Sequence, residues 1–139
     1  VARWLLATRH PDGGHPLSAT AALWADGSAA GVRPDLPAAV SDAAAGGDPL
    51  AAEALDLWLG AYGAVTGDLA LTCLSHGGIW LAGGTAAKQL DALRSESFEA
   101  AFLAKGRLRP VLEPMPVTAV IDSGIGGFSA ACRARMLLD

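Results

Sequence analysis

The segment Gly77–Gly84, GGIWLAGG, constrains the fold of this chain more than any other part of the sequence. Its apolar residues Ile79, Trp80 and Leu81 lie between two glycine pairs, a pattern typical of a short buried strand. A second strand is predicted over Val117–Ile121 because this segment is rich in β-branched residues. Helical segments separate the two, so we expect a right-handed βαβ crossover with parallel strands. Two strands do not make a stable sheet alone, and the missing strands are expected from upstream sequence or from a partner.

A long helix is predicted upstream of these strands, over Asp48–Leu74. Asp48 is a good N-cap, and Pro49 suits the first helical position. The apolar residues that follow recur with a period close to that of an α-helix, which predicts a mostly buried helix. Those residues are Leu50, Ala54, Leu57, Trp58, Ala61, Val65, Leu69 and Cys73.

Three glycines interrupt the predicted long helix: Gly60, Gly63 and Gly67. Glycine in a helix interior costs about 1 kcal/mol relative to alanine. Three such residues on neighbouring turns indicate that another backbone packs very close to this face.

The remaining elements follow from caps and chain breakers. Ser18 and Thr85 are predicted N-caps, and Gly46-Gly47 is predicted to end a helix. Further helices are predicted over Val1–Thr8, Leu17–Ala25, Ala86–Leu93 and Phe128–Leu138, from Asp35 or Leu36 to Ala45, and from Ser95 or Ser97 to Ala104. Loops are predicted over Arg9–Pro16, Asp26–Pro37 and Arg107–Pro116. We expect one helix-rich α/β domain, in which residues 1–47 form helices and loops and residues 48–139 form the long helix, the βαβ unit and a closing helix.

Composition excludes several classes of protein. With 52% hydrophobic and 17% charged residues, the chain of 139 residues can bury a core. The net charge of -4 argues against a nucleic-acid binder, and no apolar run is long enough to predict a membrane span. The N-terminal residues do not resemble a signal peptide. Because the chain begins at Val1 within a predicted helix, we expect it to be a piece of a longer protein.

The turn after the first predicted strand is the main candidate for a binding site. Gly83 and Gly84 followed by Thr85 would let a ligand approach the backbone without interference from Cβ atoms. Ligands of α/β sheets bind at the carboxyl ends of the strands. The alternative is a tight turn between strand and helix that binds nothing.

Four motifs in order give this chain a resemblance to a known family. They are Gly67–Leu71 (GDLAL), Gly77–Gly84 (GGIWLAGG), Phe98–Arg107 (FEAAFLAKGR) and Pro116-Val117. Bacterial glucokinases show similar stretches of the types G-N-L-A-L, G-G-x-x-x-A-G-G, F-x-x-A-F-x-x-K-G-R and P-V at matching spacing. Over Asp48–Asp139 the chain therefore resembles the C-terminal portion of this family.

The resemblance implies a fold, a reaction and a cellular location. It implies the C-terminal part of an actin-like ATPase domain of the ribonuclease-H-like kind, in a cytoplasmic enzyme that moves the γ-phosphoryl group of ATP to the 6-hydroxyl of glucose. Gly83 and Gly84 match the motif that lines the adenosine pocket, and Ala82 and Thr85 flank it. Mg²⁺ would accompany ATP, with its protein ligands expected upstream of this chain.

Several motifs of the family are absent from these residues. They are the D-x-G-G-T phosphate motif, the catalytic aspartate, the second phosphate loop and the E-G-G-H sugar motif, so the chain alone is expected to be inactive. Asp12–His15 (DGGH) resembles the last of these only superficially, and its turn chemistry predicts an exposed turn. The alternative is a non-catalytic sugar-kinase-like module acting in dimerisation or regulation, and the exposed edge of a half-sheet favours a homodimer.

Histidines and cysteines are interpreted as structural. His10, His15 and His76 lack the spacing of metal ligands, and a structural role is predicted for His76. Cys73 and Cys132 are predicted to be buried small hydrophobic residues rather than a disulfide.

Two other features leave alternatives open. Lys105, Arg107 and Arg109 form a basic cluster, interpreted as a solvated face with phosphate steering as the alternative. The turn Asp122–Gly127 (DSGIGG) departs from the Asn-Pro-Gly type usual in the family. Close packing of a helix on a strand is the interpretation there, with anion binding as the alternative.

Overall fold

A computed structural model describes residues 1–27, 34–122 and 124–137 of the chain. Within these residues it has nine α-helices, one 3-10 helix (Gly106–Leu108) and two β-strands. The helices are α1 Ala2–Arg9, α2 Leu17–Asp26, α3 Leu36–Ala45, α4 Pro49–Cys73, α5 Gly84–Lys88, α6 Leu90–Leu93, α7 Glu96–Leu103, α8 Arg109–Leu112 and α9 Ile125–Met136; the strands are β1 Ile79–Leu81 and β2 Val117–Ala119. The chain forms two compact units, Val1–Leu59 and Gly60–Asp139, whose boundary falls within α4.

The two strands pair in parallel, as predicted. Ile79 lies opposite Val117, and Leu81 lies opposite Ala119. The Val120 N–H extends the ladder by donating to the Leu81 carbonyl at 2.8 Å. The structure therefore confirms a helix-rich α/β chain with two parallel strands. The prediction of a buried β1 is wrong for Trp80, which is 68% exposed because nothing in the described chain covers that face of the sheet.

The first unit has its own apolar core. Its buried residues are Leu5, Leu6, Leu17, Ala21, Leu36, Val40, Leu50, Ala51 and Ala54. The predicted N-cap of α4 is confirmed, since Asp48 Oδ1 accepts from the Ala51 N–H at 2.7 Å. The predicted cap at Ser18 is wrong: Pro16 occupies the N-cap position, and Ser18 lies within the first turn of α2.

His15 corrects the interpretation of the DGGH segment. Asp12, Gly13 and Gly14 are exposed as predicted, but His15 is only 8% exposed. Its Nδ1 accepts from the Leu17 N–H at 3.1 Å, and its Nε2 lies 3.1 Å from Asp48 Oδ2. Asp48 in turn caps α4. The imidazole is buried because it bridges the N-termini of α2 and α4, whose backbone N–H groups need acceptors.

The second unit is built on close packing of α4 against α7. A Cβ atom added at Gly63 would lie 2.2 Å from the Phe98 carbonyl oxygen, and one at Gly67 would lie 2.5 Å from that of Phe102. The predicted close backbone approach is thus confirmed at these two glycines. It is wrong at Gly60, where such an atom would meet nothing within 4 Å in the described chain.

The buried face of α4 differs from the predicted one. Leu57, Val65 and Leu69 are each about half exposed or more, with exposures of 48%, 55% and 56%. Of the predicted stripe, Leu50 and Ala54 are buried as expected, and the other buried positions of α4 are Ala51, Leu59, Gly63, Thr66, Gly67 and Ala70. The glycine face of α4 makes the closer contact with α7. This face is therefore buried, and the predicted apolar residues of the same segment are exposed.

Both cysteines lie outside the core. Cys73 and Cys132 are free and exposed in the described part of the chain, so their predicted burial is wrong. Cys73 lies in the C-terminal half of α4, where the predicted apolar stripe faces solvent. Cys132 lies in α9, which contains no buried residue among those described.

Several element boundaries shift. The helix predicted over Ala86–Leu93 begins at Gly84 and breaks at Gln89 into α5 and α6. Gly83 occupies its N-cap position, so Thr85 is not the cap. The predicted connection Arg107–Pro116 contains part of the 3-10 helix and α8, and α9 begins at Ile125 rather than at Phe128. Ser123, Leu138 and residues 28–33 of the predicted second loop lie outside the described residues.

No helix in the described ranges is long and apolar enough to cross a membrane.

Candidate functional site

The predicted site forms an exposed turn between β1 and α5. Leu81, the last strand residue, and Ala86, in the first turn of α5, are both buried in the core of the second unit. The four residues between them, 82–85, are all exposed. The turn is therefore held at both ends by packed side chains, while its own backbone faces solvent.

The two glycines of the turn leave its surface bare. Gly83 has φ +108°, a conformation that side chains rarely adopt. Gly84 does not have a positive φ. A Cβ atom built on either residue would meet no atom within 4 Å in the described part of the chain. No described neighbour therefore needs the space above Gly84, and this space is open to a ligand.

The backbone of the turn is ordered by α5. The Ala87 N–H donates to the Gly83 carbonyl at 3.3 Å, and the Gln89 N–H donates to the Thr85 carbonyl at 3.0 Å. Thr85, in the first turn of α5, is exposed, so its side chain lies at the surface of the turn. The structure thus brings Ala82, Gly83, Gly84 and Thr85 together as one exposed segment, and their role in binding stays a prediction.

The loop after β2 lies at the same edge of the sheet. Because the strands are parallel, their carboxyl ends coincide, and the Val120 N–H bonds the Leu81 carbonyl directly before the glycine turn. Asp122 follows, exposed, with its Oδ1 accepting from the Gly124 N–H at 2.7 Å. The interpretation of the Asp122–Gly127 turn as close packing of a helix on a strand is wrong for the described residues, because a Cβ atom added at Gly126 or Gly127 would meet nothing within 4 Å and α9 has no buried residue there. The predicted parallel pairing was the signal that places its first residues beside the glycine turn.

The basic cluster is divided by the fold. Lys105 is turned inward, with Nζ 2.7 Å from Asp68 Oδ1 and 2.9 Å from the Ala64 carbonyl oxygen. Arg109 pairs with Glu113 at 2.9 Å on the surface. The interpretation of a solvated face is wrong for Lys105 and correct for the exposed Arg107 and Arg109.

A separate cleft of about 560 Å³ lies in the second unit. Its floor is apolar and includes Phe98, Phe102 and Leu112, while Arg94 and Glu99 are among its polar lining residues. Leu81, the residue before the glycine turn, lines the cleft, but none of the turn residues 82–85 does. The residues that the sequence predicts to bind a ligand therefore lie in the exposed turn and do not line this cleft.

The described residues contain no group of three or more His, Cys, Asp or Glu side chains that could hold a metal ion. The bare surface over Gly83 and Gly84 fits the approach of a flat organic group to a backbone. It offers no ligand set for Mg²⁺.

Comparison with known proteins agrees with the motifs. A family model described as Glucokinase matches residues 13–136, which include both strands and the glycine turn. The chain is 46% identical over 103 residues to a glucokinase of Synechocystis sp., covering 73% of this chain and 29% of that protein. It is 42% identical over 104 residues to a glucokinase of Trichormus variabilis, covering 73% and 30%. A glucokinase of Cupriavidus metallidurans is 39% identical over 109 residues, covering 76% and 32%.

The chain spans about 30% of the length of the curated relatives it matches. No solved structure matches it significantly. The family match begins at residue 13, well upstream of Asp48, where the resemblance of motifs begins. Since this match covers most of the chain and all four motifs, the chain belongs to the glucokinase family.

Proposed function

We propose that this chain is the C-terminal part of the large domain of an ATP-dependent glucokinase with an actin-like ATPase fold. Support comes from the family match over residues 13–136 and from relatives named as glucokinases. The parallel βαβ arrangement is compatible with such a domain. The enzyme would act in the cytoplasm on glucose and ATP, and the greater part of its length would be supplied by sequence outside these residues.

Within that enzyme, the exposed turn would line the adenosine side of the nucleotide site. The observation that carries this proposal is the bare, open surface of Gly83 and Gly84 at the carboxyl end of a parallel strand. Gly83 and Gly84 would contact the nucleoside through backbone atoms, with Ala82 and Thr85 at the margins. The turn would orient the nucleotide and exclude water from one of its faces.

The groups that catalyse phosphoryl transfer are expected outside this chain. ATP, when bound, supplies the γ-phosphoryl group, and the transfer depends on positioning and electrostatic stabilisation. The catalytic aspartate and the phosphate-binding loops of the family are expected upstream of these residues. The contribution of this chain is therefore binding and orientation, and we assign it no proton transfer and no metal ligand.

Nucleotide titration of the 139-residue chain tests the proposal. A site limited to the adenosine side predicts that AMP, ADP and ATP bind with dissociation constants within about threefold of one another, because no phosphate loop contributes. Gly84→Val should weaken AMP binding by about tenfold or more, since its side chain enters the open space above the turn. Isothermal titration calorimetry measures both quantities.

The matched control for this titration is Gly60→Ala. This residue also has no neighbour within 4 Å of an added Cβ in the described chain, but it lies in α4. Its AMP affinity should equal that of the wild type. Unchanged binding in Gly84→Val, or binding that requires the γ-phosphate, would contradict an adenosine-side role.

The second candidate is a non-catalytic module that acts in dimerisation or regulation. It is favoured by the exposed apolar residues Val65 and Leu69 on α4. Sedimentation analysis of the chain and of a Val65→Glu/Leu69→Glu variant separates the two functions. A dimer that dissociates in the variant, together with no nucleotide binding, would favour the module over the kinase.

A further inference from the structure

Lys105 is the most buried of the three cations in the basic cluster and is not used by the proposed function. Its side chain is 13% exposed, whereas that of its partner Asp68 is 67% exposed. The ammonium group contacts Asp68 Oδ1 at 2.7 Å and the Ala64 carbonyl oxygen at 2.9 Å. Both partners belong to α4, so Lys105 ties the segment that follows α7 to the middle of α4.

Gly67 makes this contact geometrically feasible. A Cβ atom on Gly67 would lie 2.8 Å from Lys105 Cε and 2.5 Å from the Phe102 carbonyl oxygen. The missing side chain thus leaves room both for the α7 backbone and for the aliphatic stem of Lys105. Gly67, Asp68 and Lys105 together form what we call the α4–α7 lock.

The lock connects to the glycine turn through the core of the second unit. Phe98 and Phe102, whose carbonyl groups face Gly63 and Gly67, belong to α7. Both are buried in the same cluster as Leu81 and Ala86, the residues on either side of the turn. A shift of α7 along α4 would therefore move two members of the close-packed cluster in which both ends of the turn are buried.

We propose that Lys105 is a positioning residue for the Ala82–Thr85 turn. It acts through Phe98 and Phe102 and does not touch the nucleotide. The proposal rests on the nucleotide role proposed above for that turn. It assigns one physical task to two separated motifs, since GDLAL supplies Gly67 and Asp68 and FEAAFLAKGR supplies the two phenylalanines and Lys105.

Three variants of the 139-residue chain test this role. Lys105→Met keeps the stem and removes the charge, Asp68→Asn removes the opposite charge at an exposed position, and Lys105→Arg keeps the cation. Lys105→Met and Asp68→Asn should weaken AMP binding by about three- to tenfold, whereas Lys105→Arg should stay within about twofold of the wild type. Binding is measured where circular dichroism shows every variant fully folded, so a loss of global stability alone leaves the affinity unchanged. Asp68→Asn keeps the test valid if Lys105→Met fails to fold.

Amide hydrogen exchange gives a readout that needs no nucleotide. The Ala87 and Gln89 N–H groups bond to the carbonyls of Gly83 and Thr85 and report on the turn. In Lys105→Met and Asp68→Asn their exchange should accelerate by about three- to tenfold. The Ala52 N–H, bonded to the Asp48 carbonyl in the first unit, is the internal control and should not change.

The outcomes separate the two proposals. If the wild type binds no nucleotide but exchange at Ala87 and Gln89 accelerates, the nucleotide role fails and the positioning of the turn stands. Unchanged exchange and affinity in Lys105→Met and Asp68→Asn would overturn the positioning role. That role is also overturned if Lys105→Arg behaves like Lys105→Met, because the ion pair would then not be the cause.

Discussion

Leu74 carries the strained backbone conformation at the end of α4. Its φ of +47° is the one positive value at a non-glycine residue in the described chain. The left-handed conformation lets the Ser75 N–H reach back to the Ala70 carbonyl at 3.2 Å, which closes the helix. An L-residue in this conformation costs roughly 1–2 kcal/mol. The side chain is 57% exposed, so little packing compensates for this cost.

Leu74→Gly should therefore raise the free energy of unfolding by about 0.5–1 kcal/mol, the strain relief less the added flexibility of the unfolded chain. Urea unfolding measures the change. The control is Ala61→Gly at an exposed interior position of α4, where a loss of about 1 kcal/mol is expected. A loss of stability in both variants would show that Leu74 does not adopt a left-handed conformation in solution.

At the scale of elements, the contact between α4 and α7 organises the second unit. The carbonyls of α7 lie against the glycine face of α4, and the rings of Phe98 and Phe102 fill the core on the other side. Such contact is closer than ordinary helix packing through side chains. The low helix propensity of glycine in α4 is offset by contact with α7 at Gly63 and Gly67. At Gly60, where this contact is not made, it is not offset.

The two glycines Gly63 and Gly60 give a matched pair for this contact. Gly63→Ala should lower the free energy of unfolding by about 1–3 kcal/mol, because the new methyl group collides with the Phe98 carbonyl. Gly60→Ala should raise it by about 1 kcal/mol through helix propensity. Chemical denaturation of both variants measures the difference, and equal effects would mean that α7 does not pack on α4 as described.

At the scale of the whole molecule, the chain spans about 30% of the length of its curated relatives. Its sheet has two strands in the described residues, and Trp80 on β1 and Ile121 after β2 are exposed. The curated relatives are about three times as long as the segment they share with this chain. The resemblance to glucokinases places the family's phosphate-binding motifs and its catalytic aspartate, as an expectation, upstream of these residues.

The 139-residue chain should therefore show no glucose-dependent ATP turnover. A coupled assay for glucose 6-phosphate measures this, with the Synechocystis sp. glucokinase as positive control. The physical reason is that an adenosine-side turn can orient a nucleotide but has no base for the sugar hydroxyl. Measured kinase activity of the chain would place the catalytic base within these residues.

Much of the fold could be predicted from the sequence because the signals are local. Asp48-Pro49 and Gly46-Gly47 set helix ends through capping chemistry, and the glycine-bounded run Ile79–Leu81 is a strand as predicted. The candidate turn was identified in the same way, since a glycine pair after a strand can be read without knowledge of distant residues. The family followed from four such local motifs in order.

Features that depend on distant residues were predicted poorly. The buried face of α4, the inward turn of Lys105 and the burial of His15 each depend on a partner that is distant in the sequence: Phe98, Asp68 and Asp48 respectively. An amphipathic period shows that a helix has an apolar face, but the closest available backbone decides which face packs. The sequence by itself determined the elements, the glycine turn and the family. Only the tertiary structure decided that both ends of the turn are buried in the same apolar cluster as Phe98 and Phe102, because side-chain packing forms between residues that are neighbours only in the folded chain.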